Sequence, residues 1–249
     1  MDNTSYTFPL QRLKSFFITE TSSTNTLLWE MLRKEQLPEG FVVQTDFQSA
    51  GKGHTGNNWE AEHGKNLLFS MVLYPQKIQL DELFLISQIV SLAIKKALEK
   101  YTNEIDVKWP NDIYWKDKKL AGILIENTFQ ANKVKMVIGI GLNVNQKTFR
   151  SNALNPVSLR QIVGRSFNRS RLMKSICENI LELYRELNTD FIRSEYTNIM
   201  YRRNGFYPYK SETENFNAKI VAVHSDGKLE LETEKGERKG FYFKEVQFI

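Results

Sequence analysis

Two short segments hold most of the groups in this chain that can do chemistry. Lys108-Trp109-Pro110-Asn111-Asp112 sets a cation, an amide and a carboxylate around a proline that stiffens the backbone. Lys119-Leu120-Ala121-Gly122-Ile123-Leu124-Ile125-Glu126 places another lysine at the start of an apolar run. Lysines that share a ligand neutralise anions, and a carboxylate beside them can hold or accept a proton. A third segment, Gly51-Lys52-Gly53-His54-Thr55-Gly56, fits G-x-G-x-x-G, the spacing of a dinucleotide-binding turn. Its context argues against that use, since polar residues and then a strand pattern follow where a helix would have to begin. No Lys-Ser or Lys-Thr pair makes it a P-loop. What remains is a glycine-rich loop whose bare backbone, with Lys52 and His54, can close over an anionic ligand. Gly139, Gly141 and Asn143 mark a strand where a ligand can approach the main chain closely. Ser22-Ser23-Thr24-Asn25 gathers small polar side chains near the amino end.

The elements that must position these groups are legible from periodicity. Thr24 to Leu37 reads as a helix capped by Ser22 or Ser23 and stopped by Pro38 and Gly40. Phe41 to Thr45 and Leu67 to Tyr74 read as strands. From Leu83 onward, Ile86, Val90, Ile94, Ala97 and Leu98 recur at helical spacing, so this helix faces a core. Short strands are predicted at Ile105 to Lys108, Asp112 to Trp115 and Leu120 to Glu126. Val134 to Leu142 has the continuous apolar character of a strand buried on both faces. Leu172, Ile176, Ile180, Leu183 and Leu187 mark a long helix continuing after a break into Phe191 to Tyr201. Beyond Gly205 the texture turns to short alternating strands, Ile220 to Val223 and Leu229 to Thr233, joined at Asp226-Gly227, a strong hairpin signal.

Composition bounds the function. The chain has 249 residues, 41% hydrophobic and 25% charged, which excludes a disordered or low-complexity protein. Its net charge of +5 is too small and dispersed to imply nucleic-acid binding by itself. The lone Cys177 cannot form an internal disulfide and reads as a structural thiol. No stretch reaches the roughly 18 apolar residues of a membrane span, and no export signal opens the chain, so a cytoplasmic location is expected. His54, His63 and His224 form no ligand-spaced set, and no metal site is predicted. Several candidates also have plain structural readings. Asp112 can cap a turn, Lys119 can belong to a solvated run with Lys116 and Lys118, and Trp59 and Trp109 read as packing residues.

Taken in order from Glu20 to Asn145, the five segments quoted above resemble the biotin–protein ligases. Each motif is weak alone; the ordered set is specific. The resemblance implies an ATP- and magnesium-dependent enzyme that activates biotin as biotinyl-5'-AMP. It then joins biotin to one lysine of a carrier domain in a biotin-dependent carboxylase. It implies an α+β fold, a mixed sheet flanked by helices and related to class II aminoacyl-tRNA synthetases, over residues 1–204. A small SH3-like barrel would occupy 205–249. By this likeness Ser23, Thr24, Asn25 and Gln48 meet biotin's ureido ring, and Lys52, Gly53 and His54 cover its valeryl chain and the adenylate phosphate. Lys119 meets the reacting carboxylate and phosphate, and Lys108, Asn111 and Asn143 serve ATP. Lys119, Lys52 and Asp112 are the catalytic candidates, with Asp112 orienting or deprotonating the carrier lysine.

The chemistry requires such groups. Two unit charges about 4 Å apart repel by about 4 kcal/mol at an effective dielectric of 20, and a biotin carboxylate must approach an anionic α-phosphate. Three departures from the family pattern stand out. The loop carries Lys52 and His54 where many relatives carry arginine, which offers less charge near pH 7. No aromatic near Asn155-Pro156-Val157 is placed to stack on adenine. The chain also reaches Ser22 almost at once, leaving no room for a DNA-binding domain, so a ligase that is not a repressor is expected, with homodimerisation possible. The glycine loop is expected to order when ligand binds. Lipoate–protein ligase is the nearest enzymatic alternative, and a non-catalytic RNA- or protein-binding module the alternative from another class.

Overall fold

The structure, a computed structural model, describes residues 13–53, 58–130, 133–150 and 155–249. Seven strands form a mixed sheet: β1 (Ser15–Thr21), β2 (Val42–Gln48), β3 (Leu67–Leu73), β4 (Ile105–Lys108), β5 (Asp112–Trp115), β6 (Lys118–Gln130) and β7 (Lys133–Leu142). Their spatial order is β1-β2-β3-β7-β6-β5-β4; β1 and β2 run parallel, and every other neighbouring pair is antiparallel. The parallel pair follows from its connection, because α1 (Thr24–Lys34) carries the chain back across the sheet between them. The architecture is the mixed, helix-flanked sheet expected.

Strand alternation sends successive side chains to opposite faces. On one face Val43, Val72 and Val137 pack under Leu28 and Leu32 of α1. On the other, Phe69, Met71, Ile138 and Ile140 join a larger core with α2 (Phe84–Leu98). That helix lies between the sheet and two further helices, α4 (Arg169–Glu186) and α5 (Thr189–Asn198), and is therefore buried nearly all round. A one-turn helix, α3 (Leu159–Val163), is held by a capping box in which Ser158 and Gln161 satisfy each other. No helix of the described residues is long and apolar enough to cross a membrane.

Several elements differ from the sequence reading. The first helix ends at Lys34 rather than Leu37. Glu35 is already extended, and Leu37, just before Pro38, is pulled down into the small core. The strand expected at Phe41 to Thr45 runs on to Gln48, and the one ending at Glu126 runs to Gln130. The edge strand β1 carried no signal, being exposed on both faces.

The carboxyl-terminal residues form an antiparallel sheet in the order β11-β10-β9-β8-β12, from β8 (Tyr207–Ser211), β9 (Asn215–Val223), β10 (Leu229–Thr233), β11 (Arg238–Phe241) and β12 (Val246–Phe248). The predicted hairpin is present, with Gly227 at φ +89° and Asp226 accepting from the Lys228 N–H at 3.0 Å. The apolar sides of these strands join the main core through Tyr209, Ile220, Leu229, Leu231 and Val246.

Candidate functional site

A cleft of about 810 Å³ opens on the α1 face of the main sheet, beyond the amino end of that helix. Its floor is cleared by glycine. A Cβ at Gly139 would lie 2.5 Å from Asn25 Oδ1, and one at Gly141 would lie 2.5 Å from the Trp59 ring, so these side chains rest directly on the strand backbone. Ser23, Thr24 and Asn25 form the helix end. Ser23 stands at the N-cap position, yet its side chain makes no capping bond; it is buried and lines the cleft instead. The end of α1 thus presents three consecutive polar side chains to the cavity.

These groups belong to one hydrogen-bonded array. The Thr24 backbone N–H donates to Gln48 Oε1 at 2.8 Å, and Thr24 Oγ1 lies 3.0 Å from the same oxygen. Ser70 Oγ of β3 lies 2.7 Å from Thr24 Oγ1 and 2.6 Å from Asn25 Oδ1. Asn25 Nδ2 donates to the Leu124 carbonyl at 3.3 Å and to Glu126 Oε2 at 3.2 Å, and Trp29 Nε1 donates to that carboxylate oxygen at 2.9 Å. Ser70 is fully buried.

The opposite wall is cationic. Lys119 Nζ pairs with Asp112 Oδ1 at 2.7 Å and stands 5.7 Å over the Trp59 ring. A bulge brings Lys119 here. Ile113 pairs with Ala121 but Tyr114 with Lys119, so Leu120 is the extra residue, and Lys119 shares a face with Gly122, which a regular strand forbids. Asn111 fastens the β4–β5 turn to β6, its amide donating to the Ile123 carbonyl at 2.6 Å. Lys108 Nζ is 3.3 Å from the Tyr114 hydroxyl and 5.0 and 5.4 Å from the ring centres of Tyr114 and Phe248. Burial holds its ammonium below the ordinary lysine pKa, Asp112 opposing that shift and Arg202 and Lys119 adding to it. Burial likewise pushes the Tyr114 hydroxyl up, with Asp112 reinforcing it.

Among the described residues the structure brings Ser23, Thr24, Asn25, Gln48, Lys52, Gly53, Lys108, Asn111, Asp112, Lys119 and Asn143 to this one cleft. His54 lies outside the described residues. Lys52 Nζ is 3.3 Å from Thr26 Oγ1. Asn143 is buried, its Oδ1 accepting from Asn66 Nδ2 at 3.4 Å, which leaves its own amide hydrogens for the cavity. Trp109 is buried and donates to the Gly227 carbonyl at 3.0 Å, a packing role. Trp59 forms cleft wall, and its Nε1 has no hydrogen-bond partner among the described residues.

Sequence reasoning missed several cleft-lining or supporting residues. Ser70 was discoverable as the one polar side chain in Leu67-Leu68-Phe69-Ser70-Met71-Val72-Leu73, and Glu126 as a charge closing an apolar run. Phe149 and Phe248, which also line the cleft, belong to none of the quoted motifs and gave no signal. Phe149 supplies the cleft with an aromatic ring from earlier in the chain than the searched Asn155 to Val157 stretch. No three His, Cys, Asp or Glu side chains among the described residues stand close enough to hold a metal.

Comparison with known proteins bears on the family and the fold. Residues 17–143 match the family described as Biotin/lipoate A/B protein ligase. The bifunctional ligase/repressor BirA of Bacillus subtilis is 29% identical over 230 residues, covering 88% of this chain and 69% of that protein. Biotin–protein ligase 2 of Arabidopsis thaliana is 31% identical over 168 residues, covering 61% and 48%. Among solved structures, the biotin protein ligase of Aquifex aeolicus, in complex with biotin and ATP, aligns with a TM-score of 0.77 at 24% identity over 95% of this chain and 99% of that one. At that identity the likeness speaks for the fold.

Proposed function

Because the chain belongs to the biotin/lipoate A/B protein ligase family, we propose that it uses ATP to activate biotin as biotinyl-5'-AMP and transfers the biotinyl group to a lysine of a biotin carboxyl carrier domain. The observation that carries this reading is the meeting, in one cleft, of the polar end of α1 with Lys52, Lys108 and the Lys119–Asp112 pair. An apolar, glycine-floored pocket ending in hydrogen-bonding groups suits a small ringed acid, and the cations suit the phosphates it must approach.

In the first step a biotin carboxylate oxygen attacks the α-phosphate, and pyrophosphate leaves. Lys119, fixed by Asp112, and the neighbouring lysines offset the repulsion between the two anions and the charge that develops. No enzyme nucleophile is needed. In the second step the carrier lysine amine attacks the mixed anhydride and AMP leaves. Asp112, beside the reacting centre, orients that amine and accepts its proton. Phe149 and Asn143 flank the adenine, and the carboxyl-terminal unit, 205–249, closes the nucleotide end of the cleft against the catalytic unit, 1–204. Magnesium, when bound with ATP, would add positive charge on the phosphates beside Lys52, Lys108 and Lys119. A cytoplasmic location goes with this reading.

The test is direct. Incubation with ATP, magnesium, biotin and a carrier domain should add one biotinyl group to one carrier lysine by mass spectrometry, and Lys119→Ala should abolish the addition. Pyrophosphate release with biotin but not lipoate separates this reading from lipoate ligation. Activity undiminished in Lys119→Ala would overturn the assignment.

A further inference from the structure

Phe149 reaches the cleft on a stretch with no helix or strand of its own. Backbone bonds fix the chain after β7 as far as Asn145, whose N–H donates to the Lys65 carbonyl at 2.9 Å. From Gln146 to Arg150 the described bonds that tie the chain to the body all involve side chains, and Gln146 is their centre. It is 1% exposed. Its Nε2 donates to Glu60 Oε1 at 3.2 Å and to the Thr148 carbonyl at 2.9 Å, which spends both hydrogens. Its Oε1 accepts from the Glu62 N–H at 2.9 Å and from Asn66 Nδ2 at 2.6 Å, which fills both lone pairs. Four bonds of a possible four are made. They also orient the amide, since a flipped one would set donor against donor at Glu62 and oxygen against oxygen at Glu60. Glu60 Oε1 accepts in addition from the Arg150 N–H at 2.8 Å, so the two segments are joined on either side of Phe149. Asn66, fully buried, gives its other amide hydrogen to Asn143 Oδ1 at 3.4 Å and accepts from the Val144 N–H at 3.0 Å. From a third segment, Ser158 Oγ donates to the Gln146 carbonyl at 2.6 Å and Gln161 Nε2 to the Lys147 carbonyl at 2.9 Å. Three loops thus converge on one amide, and Glu60, Asn143 and Phe149 line the cleft from two of them.

We propose that Gln146 is a positioning residue for the nucleotide: it clasps the Glu60 segment to the Phe149 segment and so holds the wall against which the base of ATP is bound. The inference rests on the reading of the cleft given above and deepens it, by naming what keeps that wall in place. Only an amide serves here. Methionine in its place removes all four bonds and leaves the buried Asn66 amide short of a partner, and glutamate sets a carboxylate oxygen against Glu60 and the Thr148 carbonyl. Among the described residues no bond of the Gln146 side chain reaches Lys119, Asp112 or the end of α1, so its loss should act on ATP and spare the acid.

The experiment measures KM for ATP and kcat by pyrophosphate release at saturating biotin, and biotin affinity by titration calorimetry. It compares the wild type with Gln146→Met, Gln146→Glu and the Gln146→Glu/Glu60→Gln double variant, each first shown to be folded by circular dichroism. Gln146→Met and Gln146→Glu should each raise KM for ATP by about tenfold or more, with kcat and biotin affinity within about twofold of the wild type. The double variant, which puts an amide donor opposite the new carboxylate, should recover most of the loss. An amide that only held the fold together would instead lower the active fraction, which reduces kcat and leaves KM where it was. Should neither single variant at Gln146 fold, Glu60→Ala, at a half-buried position, carries the same expectation. An unchanged KM for ATP in the folded variants, biotin affinity lost in equal measure, or no recovery in the double variant would overturn the inference. A wild type that releases no pyrophosphate from ATP with biotin would instead remove the proposed function itself.

Discussion

Lys108 and Lys119 are two lysines on one wall with different surroundings. Lys119 faces a carboxylate at 2.7 Å, whereas Lys108 faces aromatic rings and a phenol and is partly desolvated. Because burial sets the folded-state pKa of Lys108 below its ordinary value of 10.5, the unfolded chain binds more protons between those two values. Stability therefore rises with pH across that window, and below it the full penalty for the buried charge is present. Lys108→Met is expected to raise the thermal midpoint at neutral pH, by an amount that shrinks toward pH 10, while raising KM for ATP. Scanning calorimetry at several pH values checks this, and a midpoint that falls at neutral pH would count against it. Such a trade is what a charge kept for ligand rather than for stability entails.

Among the elements, β7 carries the most exacting constraint. It pairs along its length with β3 and β6 while offering bare backbone at Gly139 and Gly141 to Asn25 and Trp59. Gly139→Ala would drive a methyl group into the Asn25 amide at 2.5 Å. It is expected to cost about 1–3 kcal/mol of stability by overpacking and to weaken biotin binding by at least about tenfold. Urea denaturation and titration calorimetry read the two effects separately. The apolar repeats of α2 and the run Val134 to Leu142 were legible in advance because burial leaves a local pattern. β1 was not, since an exposed edge strand needs no pattern. The early end of α1 was not legible either, because Leu37 reads as the next turn of the helix until a small core claims it.

At the scale of the molecule, the two sheets share one apolar core. The Trp109 indole donates to the Gly227 carbonyl in the carboxyl-terminal hairpin, and the Phe248 ring stands over Lys108. The residues after 204 are therefore expected to unfold together with the rest. Tryptophan fluorescence and far-ultraviolet circular dichroism should trace one coincident urea transition. Two separated transitions would show that the carboxyl-terminal unit holds its own stability.

The sequence by itself determined which reactive groups exist, their order along the chain, the helix and strand periods of the main elements and the Asp226-Gly227 turn, because each of these is a property of neighbouring residues. It also carried the family likeness. Only the tertiary structure decided which groups meet. The bulge at Leu120 turns Lys119 onto the face of Gly122, and a floor without side chains lets Asn25 reach Glu126, 101 positions away. The last strand of the second sheet brings Phe248 to Lys108. Those meetings depend on strand register and on packing between distant segments, and a local pattern contains no information about either.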